Sequence, residues 1–241
     1  MPMPSRQRFI SAKATLSQIL GKAAARHSYV SLAWVWARMP EISPNTLRGY
    51  LSEAMASGEI HSAGRGWYSP LAEQAVIDLQ PTAGMCELLA KRFPLLPLAV
   101  WSTAQINPWL EYTLGKETLF VNALSDTVQD VAAFLRQSGW SVVVNPTKKS
   151  GADFVPGDKQ VVLRGVRRDL VEMTPERFLI DLLLENRRLG MLDEAERQAA
   201  CRRWMSERCF DLGLMVKMMQ RLKISMEAII GRPIRPTISE K

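Results

Sequence analysis

The stretch SPNTLRGYLSEAMASGEIHSAGRGWYS, residues 43–69, decides how this chain is read. Ser43 has the side chain of a helix N-cap, and Pro44 fits a first helical turn. Leu47, Leu51, Ala54 and Met55 then fall on one apolar stripe of a helix running to about Ser57. The opposite face carries Asn45, Thr46, Arg48, Gly49 and Ser52, with no acid before Glu53. Short hydrogen-bonding side chains and one arginine suit a helix whose first turns enter a major groove. Gly58 is placed to end the helix in a left-handed conformation. Glu59 to Ser62 and Trp67 to Pro70 read as a hairpin turning at Ala63-Gly64-Arg65-Gly66. Gly64 and Gly66 would let backbone amides approach phosphates, with Trp67 following, while Arg65 would reach a phosphate or the minor groove.

Working upstream, Ser11 to Ala25 predicts a helix with Leu16, Ile19, Leu20 and Ala23 on one face. His27-Ser28 interrupts it, and Tyr29-Val30 fits a short strand. Ser31 caps a second helix, Leu32 to Met39, closed by Pro40. Trp34 and Trp36 point to different faces of that helix, so both cannot sit centrally in a small core. Helix, strand, helix, capped polar helix and glycine-arginine hairpin, in that order, predict a winged helix-turn-helix over residues 1–72. The function expected of it is DNA binding, with protein docking as the alternative.

Working downstream, a connecting helix at Thr82 to Arg92 and a proline-punctuated linker fill residues 73–97. Strands are expected at Leu98 to Trp101, Thr118 to Asn122, Trp140 to Val144 and Gln160 to Val166. Helices alternate with them at Asn107 to Leu114 and after a Ser125 cap, where Val128, Val131, Ala132 and Leu135 share a face that stops at Gly139. This alternation predicts a small, mostly parallel sheet with helices against it. Helices follow from Thr174, Asp193, Asp211 and Ser225. The expected class is α+β, with an α/β domain and its helical tail over residues 98–241.

The net charge of +7 is uneven: residues 1–70 hold eight basic and three acidic side chains. Residues 71–163 are slightly acidic and residues 164–241 basic again. A basic first segment suits a polyanion partner. In the tail Arg187, Arg188, Arg202, Arg203, Arg208, Lys217 and Arg221 are a weaker candidate for a partner surface, since solvated helix faces often look this way. Cys86, Cys201 and Cys209 lack a disulfide or zinc spacing, and buried free thiols are expected. No run approaches the roughly 20 apolar residues of a membrane span, and no signal peptide is legible, so the cytoplasm is the expected compartment.

Chemistry is hard to find. No Gly-Ser turn precedes paired aspartates, and Asp126 and Asp130 read as solvent-side residues of one helix. Glu172 has no lysine partner, Asp153 to Lys159 reads as a glycine-proline loop, and the two histidines, His27 and His61, both lie in the first segment. Neither an enzyme nor a cofactor or metal is expected. An undetected nuclease or nucleotidyltransferase and a ligand-sensing regulator are the alternatives.

Three motifs carry a resemblance. Gly64-Arg65-Gly66-Trp67-Tyr68 resembles the hairpin closing the first domain of the AbiEi-type antitoxins. Thr174-Pro-Glu-Arg-Phe-Leu-Ile-Asp-Leu-Leu is similar to that group's linking helix, and Phe210-Asp-Leu-Gly-Leu-Met-Val-Lys-Met-Met-Gln-Arg-Leu-Lys to its closing basic helix. The resemblance implies a cytoplasmic antitoxin and autorepressor of a phage-defence operon, binding inverted repeats in its own promoter. It also implies a second domain like a catalytically emptied nucleotidyltransferase, countering a separately encoded nucleotidyltransferase toxin.

Overall fold

A computed structural model describes residues 5–25, 29–151, 154–157, 159–167 and 173–231, with the backbone alone for 5–11. The His27-Ser28 interruption and the readings of Asp153 and Glu172 fall outside the described residues. The protein is mixed α+β and divides into two compact units: residues 1–75 with 202–241, and residues 76–201.

In the first unit, α1 (Ser5–Ala24), β1 (Val30–Ser31), α2 (Leu32–Trp36), α3 (Pro44–Ala56), β2 (His61–Ser62) and β3 (Trp67–Ser69) follow one another. The strands pair antiparallel in the order β1-β3-β2. The apolar faces of the helices converge as their periodicity dictates: Leu16, Leu20 and Ala23 of α1 meet Val35, Leu47, Leu51, Ala54 and Ile60 in one core. Tyr50 joins that core, while Ile19 and Met55 lie at its margin. Burying several such aliphatic chains contributes about 1.5–3 kcal/mol each, which holds these short elements together. Ser31 accepts from the Trp34 amide as the cap of α2, and that helix ends earlier than its sequence pattern suggests. Trp34 is half-buried at the core margin, whereas Trp36 is exposed.

The first unit is completed by chain that returns from far away. Helix α7 (Glu194–Glu207) runs across the division, and α8 (Leu212–Leu222) and α9 (Met226–Ile230) follow it. The buried Tyr29 hydroxyl donates to the Arg208 carbonyl at 2.7 Å and accepts from the Phe210 amide at 2.9 Å. Cys209 bonds through its backbone to Glu73 and Ala75 at 2.7 and 2.8 Å. The assignment of all tail helices to a domain spanning 98–241 is thereby corrected: from Arg202 onward the tail belongs with the first unit.

The second unit holds a four-stranded sheet, order β4-β5-β7-β6, from β4 (Ala99–Ser102), β5 (Leu119–Leu124), β6 (Ser141–Val144) and β7 (Gln160–Val166). Strand β4 is antiparallel to β5, while β5, β7 and β6 are parallel. Alternation sends Val121, Ala123, Val161 and Leu163 to one face, where they pack with Met85 and Leu89 of α4 (Ala83–Arg92) and Val131 and Leu135 of α5 (Val128–Gln137). The alternate residues Phe120, Asn122, Val162 and Arg164 take the other face, with α6 (Pro175–Leu189). Trp101 stacks on Phe120 at 3.8 Å between ring centroids and meets Phe178 of α6 edge-on.

Two local readings change. Ser125 does not cap α5; its hydroxyl donates to the Val166 carbonyl, and Thr127 occupies the cap position with its hydroxyl donating back to the Leu124 carbonyl rather than capping the helix. The short helix expected at Asn107 to Leu114 is a 3-10 segment, Thr103–Trp109, started by a Ser102–Gln105 capping box. Thr174, Asp211 and Ser225 do cap α6, α8 and α9. Cys201 and Cys209 are buried free thiols, whereas Cys86 is an exposed one.

Candidate nucleic-acid interface

The Ser43 side chain accepts from the Thr46 amide at 3.2 Å and pairs with the Thr46 hydroxyl at 2.9 Å, fixing the first turn of α3. Ser43, Asn45, Arg48 and Ser52 are exposed and Thr46 is half-exposed, while Leu47, Tyr50 and Leu51 are buried on the far side. Arg48 Nη1 donates to Asn45 Oδ1 at 3.0 Å, so the two side chains act as one polar group. The Arg48 guanidinium also lies near Tyr68 of β3: burial raises the Tyr68 phenol above its usual range, and Arg48 partly opposes the rise. The polar face of α3 and the hairpin are therefore neighbours.

The hairpin turn closes by Trp67 N–H donating to Gly64 O at 3.0 Å, with Arg65 exposed at its tip. Gly66, at φ +76°, has open space where a Cβ would stand, and its carbonyl accepts from the Leu32 amide at 2.9 Å. Trp67 is half-buried and pairs with Ser31 of β1. Gly64 differs. At φ +87°, a Cβ there would lie 1.8 Å from Asp211 Oδ1, and one on Gly213 would lie 2.7 Å from the Arg65 nitrogen. The turn is thus seated on the first turn of α8, where the Gly213 amide also donates to Ala63 O at 3.3 Å. The reading of Gly64 as a phosphate-approach point is corrected, because a carboxylate stands against it and would repel an anion. Gly66 and Arg65 remain open.

Two other cations of the unit are already engaged. Lys13 of α1 forms an ion pair with Glu53 and lies over the Tyr50 ring, and Arg38 stacks on Trp34 at 3.8 Å.

The arginines of the tail are divided. Arg187 and Arg188 lie in the second unit, Arg202, Arg203, Lys217 and Arg221 in the first. Arg188 pairs with Glu185, Arg202 donates to the Ile230 carbonyl and Arg208 meets Glu73 at 3.2 Å, so these three secure local structure. Arg187, Lys217 and Arg221 are exposed.

A polar cluster between the sheet and α6 was not singled out in the sequence. Asn122 Nδ2 donates to Asp181 Oδ2 at 2.9 Å, which also accepts from Arg177 Nε at 2.8 Å. Beside it, Arg164 makes a two-pronged bond to Glu185 at 2.8 and 2.6 Å. Burial raises the Asp181 carboxyl above its ordinary range, with Arg177 and Asn122 opposing the rise and the Glu185 charge adding to it. Two signals point to the cluster in the sequence: an asparagine inside an apolar strand, and charges at Arg177, Asp181, Glu185 and Arg188, spaced three or four apart on one helix. Among the described residues, no group of three or more His, Cys, Asp or Glu is placed to hold a metal ion. No helix among them is long and apolar enough to cross a membrane.

These features define an α+β chain of two units, the first presenting an exposed polar helix face beside an arginine-tipped turn. The chain belongs to DUF6577, a family of unknown function, whose pattern it matches over residues 46–221. That match begins inside α3 and ends inside α8. No curated protein and no solved structure matches the chain.

Proposed function

We propose that this protein is a DNA-binding transcriptional repressor and antitoxin that autoregulates its operon and counters a nucleotidyltransferase toxin. The observation that carries the DNA-binding part is the exposed Asn45–Arg48 pair on a capped helix whose opposite side is buried, with the Arg65 turn in the same unit. In this reading the α1-β1-α2-α3-β2-β3 order is a winged helix-turn-helix. Helix α3 enters the major groove, and the β2–β3 hairpin is the wing. Asn45, Thr46, Arg48 and Ser52 read base edges, while Arg65 and the Gly66 backbone hold phosphate. The antitoxin part is supported by the resemblance at residues 64–68, 174–183 and 210–223, with the second unit as an inactive nucleotidyltransferase-like domain. The compartment that goes with this reading is the cytoplasm, and the operator is a pair of inverted repeats.

Titration of the full chain onto its own upstream duplex tests the reading. Arg48→Ala should cost about 1–3 kcal/mol of discrimination against the wrong base, the worth of a bidentate base contact. Arg65→Ala should weaken binding to every sequence alike and lower the salt slope by about 0.9. Unchanged affinity, preference and slope in both variants would remove DNA reading from this surface. For the antitoxin part, growth arrest by a neighbouring nucleotidyltransferase should be relieved by co-expressing this chain.

A second reading, a regulator whose second unit senses a small molecule, is favoured by the Asn122–Asp181–Arg164–Glu185 cluster. It lies toward the carboxyl ends of the parallel strands, where open α/β sheets bind ligands. A metabolite that co-purifies with the chain, and is lost on Asn122→Ala, would favour it.

A further inference from the structure

Helix α8 does more than support the hairpin. Its buried side is Leu212, Met215 and Met219, so its solvent side is centred on the positions of Gly213, Lys217, Gln220 and Arg221. The hairpin turn covers only the first turn of that solvent side, at Gly213. Lys217 follows one helical turn further along and Arg221 two, about 6 and 12 Å beyond the seat of the turn at 1.5 Å per residue. Both are exposed. After the Asp211 cap, no acidic residue occurs until Glu227, and Lys223 extends the same charge. Arg65 therefore stands at the head of a cationic line that the helix continues outward.

We propose that this line, Lys217 and Arg221 on α8, is a second phosphate-contacting surface that extends the hairpin's hold on a DNA duplex along its backbone. The inference rests on the DNA-binding reading and goes beyond it by placing part of the interface in the returning tail. Asp211 marks its inner limit: the carboxylate against Gly64 keeps phosphate away from that side of the turn. A duplex carries about one charge per 1.7 Å of axis, so a line of two cations beside Arg65 meets phosphates over its whole length. Backbone contacts of this kind fix position and carry no sequence information.

The test is the salt dependence of binding by the full chain to its own upstream duplex, followed by fluorescence anisotropy. The double substitution Lys217→Ala with Arg221→Ala should lower the slope of log K against log salt by about 1.8, at about 0.9 per phosphate contact. Lys217→Gln alone, which alters a single exposed chain, should lower it by about 0.9 and keeps the test decidable if the double variant unfolds. Removing two exposed lysines of the second unit, Lys116→Ala with Lys149→Ala, controls for net charge and should leave the slope in place. A wild-type slope in Lys217→Gln, with Arg65→Ala still lowering it, overturns the role of α8 alone. An acidic protein binding this face in place of DNA would give the same result. Absence of duplex binding by the unaltered chain overturns the underlying reading and this inference together.

Discussion

Two glycines of the same turn, Gly64 and Gly66, look interchangeable as letters and are not interchangeable as positions. Both have positive φ, so alanine is strained at either. Around Gly66 the space is open, whereas at Gly64 an added carbon meets the Asp211 carboxylate and the Gly213 backbone. Gly66→Ala should therefore cost about 1–2 kcal/mol of unfolding free energy, the penalty of an L side chain in left-handed backbone. Gly64→Ala should cost distinctly more, because the turn must also lift off α8. Denaturant unfolding of the two variants checks the order, and an equal or reversed cost would mean that the turn is not seated as described. The sequence marks both residues as turn glycines. It gives no sign that one is shared with a segment nearly 150 residues away, because turn chemistry is local and the clash is not.

Most elements were legible because their signals are local: a capping serine, threonine or aspartate, a three-to-four-residue apolar step, a glycine after the last turn. Ser43, Thr174, Asp211 and Ser225 all cap the helices they announce. Ser125 announces a cap it does not make, since its hydroxyl is drawn across to β7. The strands of the second unit were readable as apolar runs, and the face turned toward α6 was not. Asn122 and Arg164 acquire meaning only when α6 brings Asp181 and Glu185 against them. That packing has a pH signature. A carboxyl whose folded value is raised binds its proton more tightly in the native state than in the unfolded chain. Its contribution to stability is fully present below the ordinary aspartate value, 3.8, and is lost as pH rises through the raised one. The stability of the native protein relative to Asp181→Asn should accordingly fall as pH rises above about 4. A pH-independent difference between the two, from thermal or urea unfolding at several pH values, would show that burial does not perturb Asp181.

At the scale of the molecule, the chain leaves the first unit after Ala75, builds a sheet domain, and returns at Arg202 to finish what it began. Hydrophobic periodicity says that the tail helices are amphipathic and is silent about which core receives them. Tyr29 is where the return is fastened, with Arg208 and Phe210 bonded to one buried hydroxyl. Tyr29→Phe should cost about 1–3 kcal/mol, because it leaves a buried amide and a part-buried carbonyl without that partner. A loss near zero in urea unfolding would mean the two segments do not depend on this link. The same architecture puts the hairpin turn and α8 into one surface, so the tail is part of any interface the first unit makes. Whether that interface reads DNA is decided most directly by dimethyl sulfate footprinting of the protein on its own upstream duplex, which reports guanine N7 in the major groove. The account predicts guanines protected by the native chain and reactive again in a complex with Arg48→Ala, as expected for an arginine bonded to that edge. Complexes in which every guanine reacts as in free DNA, with Arg48 or without it, would contradict it.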